Sequence, residues 1–238
     1  MRALAVLLAV LAFGCSNRVP GEDESSIPPA PVGPGEFDAQ RWLEEARASV
    51  VSLEAAAPGD AATDRMKALA EELNAEVDWR RACDTYLDHE TGEETYEPIE
   101  PELSSWVRGT MEIGDVSVTE AVVAVTCDFG AYQGNYALVH VDRNGVRLLS
   151  APAVAYGGRI LPARQTTFST PVFDEIGQRE LSTYGRARGL GDCGVYSTYA
   201  LSGDESLELL EVRSRDCGDE IPDPLPPPSE WPVVYSAN

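Results

Sequence analysis

The sequence predicts an α+β fold: a mainly antiparallel β domain fastened by disulfides and preceded by an N-terminal helical hairpin. Three observations lead there. Residues 38–77 carry two runs of apolar side chains at helical spacing, parted by Pro58-Gly59. From Asp78 onward, short apolar or alternating runs are separated by Gly, Asn, Asp and Pro, without the regular strand–helix alternation of a doubly wound nucleotide-binding sheet. Four cysteines, Cys83, Cys127, Cys193 and Cys217, stand in this strand-rich part of a chain that carries an export signal.

With 238 residues and 43% apolar content, the chain can build the core of one or two domains. Its 40 acidic residues against 18 basic ones give a formal net charge of −22. A field of that sign repels DNA, RNA and anionic lipid headgroups, which argues against nucleic acid as a partner.

At the N-terminus, Met1-Arg2 is a short positive start and residues 3–13 are an apolar run, too short to cross a bilayer and of signal-peptide length. The run ends Leu11-Ala12-Phe13-Gly14-Cys15-Ser16. This resembles a bacterial lipoprotein cleavage site, with the leucine one place further upstream than that pattern prefers. The resemblance implies removal of residues 1–14 and acylation of Cys15, each buried methylene contributing ~0.8 kcal/mol to anchoring. Ser16, in place of Asp, points to the outer membrane. Ordinary secretion with Cys15 unmodified is the alternative. Residues 15–36, with Pro20-Gly21-Glu22-Asp23-Glu24 and Pro28-Pro29, hold nothing that builds a core and read as an extended, disordered tether. The expected location is the cell envelope, lipid-anchored at the outer membrane and facing the periplasm or the exterior.

Residues 37–77 form the hairpin. Asp38 is placed to cap a first helix, on which Trp42, Ala46, Val50 and Leu53 share one face until Pro58-Gly59. Asp60 is placed to cap a second, with Met66, Leu69, Ala70, Leu73 and Val77 on one face. The opposite faces are charged, so the pair is expected to dock on the domain that follows, residues 78–238.

In that domain, Asp78-Trp79 leads into Cys83-Asp84, and residues 89–101 are acidic and read as a loop. Residues 106–112 and 116–127 read as strands, the second apolar enough for the middle of a sheet. Residues 135–142 alternate, with Ala137, Val139 and Val141 on one side and Tyr136, Leu138 and His140 on the other. Asn144-Gly145 is the strongest hairpin signal, and residues 146–149 return from it. Further strands are expected at 159–161, 165–173, 180–184, 195–201 and 207–213, with turns at Gly157-Gly158 and Ser202-Gly203-Asp204. Residues 221–229 are proline-rich and extended, and 231–235 are expected to return to a sheet edge.

In an oxidising compartment the four domain cysteines read as two disulfides with three possible connectivities. Cys193 with Cys217, leaving Cys83 to Cys127, is the preferred one: it closes a loop of two short strands and their turn, worth roughly 3–4 kcal/mol in the chain-entropy picture. No CxxC pair points to a zinc ribbon or a redox site, and no cofactor or metal is expected.

Four stretches together resemble a known family. Thr126-Cys127-Asp128-Phe129-Gly130-Ala131-Tyr132-Gln133 is similar to its Cys-x-x-Gly-Ala-Tyr-Asn/Gln signature. Arg188-Gly189-Leu190-Gly191-Asp192-Cys193-Gly194 is similar to its Gly-Arg-Gly-Leu-Gly-Asp-Cys-Gly signature. Asp78-Trp79 with Cys83-Asp84 resembles its opening, and Cys217 with Trp231-Pro232 its close. The family is domain of unknown function 1176, a group of bacterial exported proteins without an established activity. The resemblance covers the chain from about Asp78, with the helical part standing as an addition. A further cysteine that members carry soon after the opening is absent here.

The loop around Gly189, Gly191 and Gly194 is expected to take a tight path, with Leu190 plugging the core and Asp192 pinning the turn. Arg186, Arg188, Arg213 and Arg215 fall beside Cys193 and Cys217. With Asp192 and Tyr132 they are the candidate ligand-binding residues, for a carboxylate, phosphate or sugar acid. The competing reading pairs these arginines with Glu211, Asp216 and Asp219. Catalysis has little support. His89 sits in the acidic loop, and His140 on a strand face where a satisfied, half-buried histidine is the ordinary outcome. No nucleophile elbow, metalloprotease helix or P-loop is present. Gly189-x-Gly191-x-x-Gly194 has dinucleotide-loop spacing, but a cysteine lies inside it and no helical pattern follows.

The expected function is therefore non-enzymatic: an envelope protein that binds or scaffolds, partnered by the membrane through its lipid and by an anionic envelope ligand or an envelope protein. The alternatives are a carboxylate-dependent hydrolase of envelope carbohydrate or peptide, and an inhibitor of an envelope-degrading enzyme. A hydrolase requires a cleft with two converging acids. A binding module requires a patch of arginine and aromatics such as Tyr132, Tyr184, Tyr196 or Tyr199.

Overall fold

The computed structural model describes residues 37–238 except 54–60, 89–90, 100–106, 130–132, 204–205 and 238. The signal segment 1–14, the tether 15–36 with Cys15, Pro58-Gly59, Asp60, His89 and Tyr132 lie outside the described residues.

Helix α1 (Ala39–Leu53) begins where Asp38 Oδ1 accepts the Arg41 N–H at 3.0 Å, an N-cap bond of the expected kind. Helix α2 is Ala61–Val77. Apolar packing joins them: Trp42, Leu43 and Ala46 meet Met66, Leu69, Ala70 and Leu73, all fully buried. The Trp42 indole N–H donates to the Leu69 carbonyl at 3.0 Å, so its one polar atom is satisfied inside the core. A short helix α3 (Trp79–Cys83) corrects the expectation of strands and turns directly from Asp78. Asp78 takes a left-handed backbone (φ 46), which ends α2 and turns the chain. Trp79 then folds back, its indole donating to the Ala70 carbonyl at 2.7 Å.

Fourteen strands follow among the described residues: β1 (Thr85–Leu87), β2 (Glu94–Tyr96), β3 (Met111–Ser117), β4 (Glu120–Phe129), β5 (Gly134–Asp142), β6 (Gly145–Leu148), β7 (Ala151–Val154), β8 (Ile160–Gln165), β9 (Thr167–Phe168), β10 (Thr170–Val172), β11 (Glu180–Arg186), β12 (Gly194–Leu201), β13 (Leu207–Arg215) and β14 (Val233–Ser236). Sheet one runs β3-β4-β5-β6, with β9 also on β5; sheet two runs β10-β11-β12-β13-β14. β1-β2 and β7-β8 are separate hairpins. All these ladders are antiparallel.

The central strands of sheet one, β4 and β5, are buried on both faces. Ala137, Val139 and Val141 of β5 join the core made with the helices, while Tyr136 and Leu138 join a second core with Leu181, Tyr199, Leu201 and Val212 of sheet two. The layers are thus helices, sheet, sheet, and residues 37–238 form one compact unit. Double-sided burial also explains why β4 reads as a continuous apolar run.

Several boundaries differ from the sequence reading. The run 116–127 contains the turn Val118-Thr119 that separates β3 from β4. The strand expected at 106–112 starts only at Met111, the acidic loop contains β2, β7 was not foreseen, and 165–173 breaks into β8's end, β9 and β10. Apolar content hid the first of these turns: Val118 is a valine at an exposed tip. Asp142 pairs with Gly145 across the Asn144 hairpin, and β14 pairs with β13 at the sheet edge, both as expected.

Disulfides join Cys83 to Cys127 and Cys193 to Cys217, with Cα separations of 5.2 and 5.1 Å. The first ties α3 to β4. The second ties the loop before β12 to the segment after β13.

Candidate functional site

The loop between β11 and β12 is shaped by two glycines in the left-handed half of backbone space, Gly191 (φ 71) and Gly194 (φ 144). A Cβ on Gly194 would lie 2.0 Å from the Gly185 carbonyl oxygen, so the strands meet too closely there for any side chain. Asp192 is buried, and Arg188 grips it with both ends of its guanidinium, Nε to Oδ1 at 2.7 Å and Nη2 to Oδ2. That hydrogen bonding holds the Asp192 carboxyl below its ordinary value and raises Arg188 above its own. Leu190, expected to plug the core, is instead 55% exposed, because the loop bends outward where Asp192 turns in.

Three of the four arginines share the outward face of sheet two. Arg186 and Arg215 are both in register with Gly194, which puts them about 10 Å apart across a residue with no side chain. Arg213 is in register with Tyr196, and Tyr196 with Tyr184. The Arg186 guanidinium lies 5.4 Å over the Tyr184 ring, which packs edge-on against Trp231 at 5.6 Å. Arg213 donates to Glu211 at 2.5 Å and to the Trp231 carbonyl at 3.0 Å. Arg188 turns away into its own loop. Tyr199 lies on the other face of β12, and Tyr132 is outside the described residues.

That inward face opens on a cavity of about 690 Å³ at the end of the sandwich marked by Cys127. Small-molecule sites span about 300–1,000 Å³. Thr183, Gly185, Val195, Ser197 and Tyr199 come from sheet two; Cys127, Asp128, Gln133 and Asn135 from β4, β5 and their connection; Gln165, Thr167, Phe168 and Ser169 from the β8–β10 turns. The β1-β2 hairpin contributes Tyr86, Glu97 and Asp84, and the turn after β7 contributes Tyr156. Among the described residues no arginine or lysine lines it.

Tyr199 is fully buried, its ring edge-on to Phe168 at 6.2 Å. Burial pushes its hydroxyl up to about 12, with Ser197 and Thr183 close enough to oppose that shift. Neither is in hydrogen-bonding geometry, and the hydroxyl has no partner. The surrounding polar groups are held in place. Gln133 Oε1 accepts the Arg186 N–H at 2.6 Å and its Nε2 donates to Ser169 at 3.4 Å. Asn135 donates to Asp128 at 2.8 Å. Asp84 accepts from Arg108 at 2.6 Å and from the Ile99 N–H at 3.3 Å. The cleft therefore does bring acids together, but Asp84 and Asp128 each already serve a donor. A carboxyl pushed up by burial, that of Glu112 on β3, does not line it.

The opposite end of β4 carries a different polar cluster. His140 is buried, its Nδ1 2.6 Å from Arg147 Nη2 and its Nε2 2.8 Å from Glu120 Oε1. A guanidinium only donates, so Nδ1 holds the lone pair and Nε2 donates to Glu120. The imidazole is thus neutral, and burial depresses its pKa. Arg179 also donates to Glu120 at 2.7 Å, linking the two sheets. This network is satisfied internally and has the character of a structural tie. Among the described residues no group of His, Cys, Asp and Glu is arranged to hold a metal, and no helix is long and apolar enough to cross a membrane.

Sequence reasoning missed the cavity and its tyrosines Tyr86 and Tyr156. A signal was present: the inward positions of β11 and β12 read Leu181-x-Thr183-x-Gly185 and Val195-x-Ser197-x-Tyr199-x-Leu201, with polar residues where a closed core takes apolar ones.

A family model described as a protein of unknown function, DUF1176, matches residues 44–238. The match begins inside α1, which corrects the expectation that the helices are an addition to the family domain. No curated protein and no solved structure matches the chain.

Proposed function

Because the chain belongs to the DUF1176 family, whose description assigns no activity, we propose its function from the site itself. It is a non-enzymatic binding module of the cell envelope, lipid-anchored through Cys15, and its ligand seat is the cavity between the two sheets. One observation carries this reading: the two sheets part at one end around a cavity of about 690 Å³ whose lining is rich in uncharged hydroxyls and amides, above the buried Tyr199 ring. Such neutral donors and acceptors, set between apolar wall residues, are the lining a small polar ligand needs. The engagement of Asp84 by Arg108 and of Asp128 by Asn135 favours recognition over acid–base catalysis.

A second reading keeps the outward face of sheet two as a seat for an anionic envelope ligand. It is favoured by the placement of Arg186 and Arg215 across Gly194. Arg188 and Arg213 contribute less to it, since Asp192 and Glu211 already engage them.

The test is capture of native ligands from detergent-solubilised envelopes by the wild type and by two cavity-filled variants, Ser197→Phe at the floor and Gln165→Trp at the rim. Near-UV circular dichroism checks that both fold. Loss of the captured species in both variants supports the cavity as the seat. Capture unchanged in both removes it, and loss only in Arg186→Ala/Arg215→Ala moves the seat to the outward face. Palmitate labelling that disappears in Cys15→Ser tests the anchor.

A further inference from the structure

We propose that the ligand of this cavity is an uncharged carbohydrate, a segment of a neutral glycan that stacks on Tyr86 and Tyr156 and hydrogen-bonds to the floor around Tyr199. The inference rests on the binding reading above and narrows it to a ligand class.

The mouth is the first argument. Tyr86 and Tyr156 are 58% and 56% exposed, although they sit on separate elements, the β1-β2 hairpin and the turn after β7. Large rings left in water at the rim of a cavity are surfaces for an amphipathic partner. Tyr156 is also fixed in advance: its hydroxyl donates to the Arg186 carbonyl at 2.9 Å, which anchors the ring and lowers the ordering cost of binding. A sugar presents apolar C–H faces to such rings and hydroxyls at its edges.

The lining is the second. Gln133, Asn135, Gln165, Thr167, Thr183 and Ser197 offer neutral donors and acceptors, which match hydroxyls that both donate and accept. Val154, Phe168 and Val195 supply apolar wall between them.

Charge is the third. An anion entering here meets Asp84, Glu97 and Asp128 with no lysine or arginine among the described lining residues, inside a chain of net charge −22. A cation finds Asp84 and Asp128 already bonded to Arg108 and Asn135. A neutral polyol pays neither penalty, and its hydroxyls can donate to the lone pairs these carboxylates have left.

The experiment is calorimetric titration of the purified protein with a panel of probes: maltotriose, cellotriose and N-acetylglucosamine trimer as neutral glycans, galacturonic acid trimer and inorganic phosphate as anions, and trilysine as a cationic peptide. A neutral glycan is expected to bind. Tyr86→Ala and Tyr156→Ala, both at exposed positions, should each weaken it by about tenfold or more. Ser197→Phe, which fills the floor, should abolish it. Arg143→Ala, in the exposed β5-β6 turn, should leave it unchanged. Binding of only the charged probes, abolished by Ser197→Phe, overturns the sugar assignment and leaves the cavity a binding site. A neutral glycan indifferent to both tyrosine variants overturns it equally. If no probe binds and cavity filling also leaves envelope capture unchanged, the binding reading falls with it.

Discussion

Replacing Tyr199 by Phe should make the ligand-free protein more stable. The ring is fully buried and its edge contact with Phe168, at 6.2 Å, survives the change, so packing is conserved and only one oxygen is removed. That oxygen has no hydrogen-bond partner. A buried hydroxyl so placed forfeits about 1–3 kcal/mol of hydration. Its ionisation, pushed up to about 12 by burial, does not enter a comparison at neutral pH. Relaxation of the neighbouring side chains offsets part of that cost, which sets the expected gain at about 1 kcal/mol, or about 2–4 °C in Tm for a domain of this size. Urea denaturation reads it as a raised midpoint with an unchanged slope. A loss of about 1 kcal/mol or more would refute the reasoning, since it would mean that Ser197, Thr183 or an ordered water already satisfies the hydroxyl.

Gly194→Ala should cost about 3 kcal/mol or more, because φ 144 and a Cβ 2.0 Å from the Gly185 carbonyl both oppose it; Gly203→Ala, which meets nothing within 4 Å, is the control, and equal denaturation midpoints for the two would contradict this. Removing the Cys83–Cys127 disulfide as paired serines should cost about 4 kcal/mol for a separation of 44 residues, and removing Cys193–Cys217 about 3.5 kcal/mol for 24; an unchanged midpoint in either double variant would refute the chain-entropy argument. Stability should fall as pH drops below the ordinary histidine value of 6.5, because the unfolded chain protonates His140 before the folded one does. Glu120 and Asp142 add to the loss at lower pH: burial opposes their ionisation, but hydrogen bonds from Arg179 and His140 to the first, and from Arg147 to the second, outweigh it and hold both below their ordinary values of 4.5 and 3.8. In His140→Gln the first part of this slope should vanish, as urea midpoints across pH would show; a slope retained in the variant would assign it to other groups.

Much of the architecture is local information, and the sequence by itself determined it. Apolar side chains at helical spacing place Trp42 and Ala46 of one helix against Met66, Leu69 and Leu73 of the next. The two-residue alternation of β5 sorts Val139 to the helical core and Leu138 to the core between the sheets, because a strand has only two faces. Asn144-Gly145 marks its hairpin through backbone preference alone, and Cys193 and Cys217 close where β12 and β13 return on each other. Only the tertiary structure decided the site. Alternation shows that Thr183, Ser197 and Tyr199 point the same way, but it does not say that they face the ends of β4 and β5 across a gap. It likewise separates Tyr199 from Tyr184 and Tyr196 by face, so aromatics that look like one patch along the chain are divided by the sheet. The remaining rings, Tyr86 and Tyr156, reach the cavity from elements about 70 residues apart in sequence, whose meeting depends on packing between distant segments and leaves no trace in local periodicity.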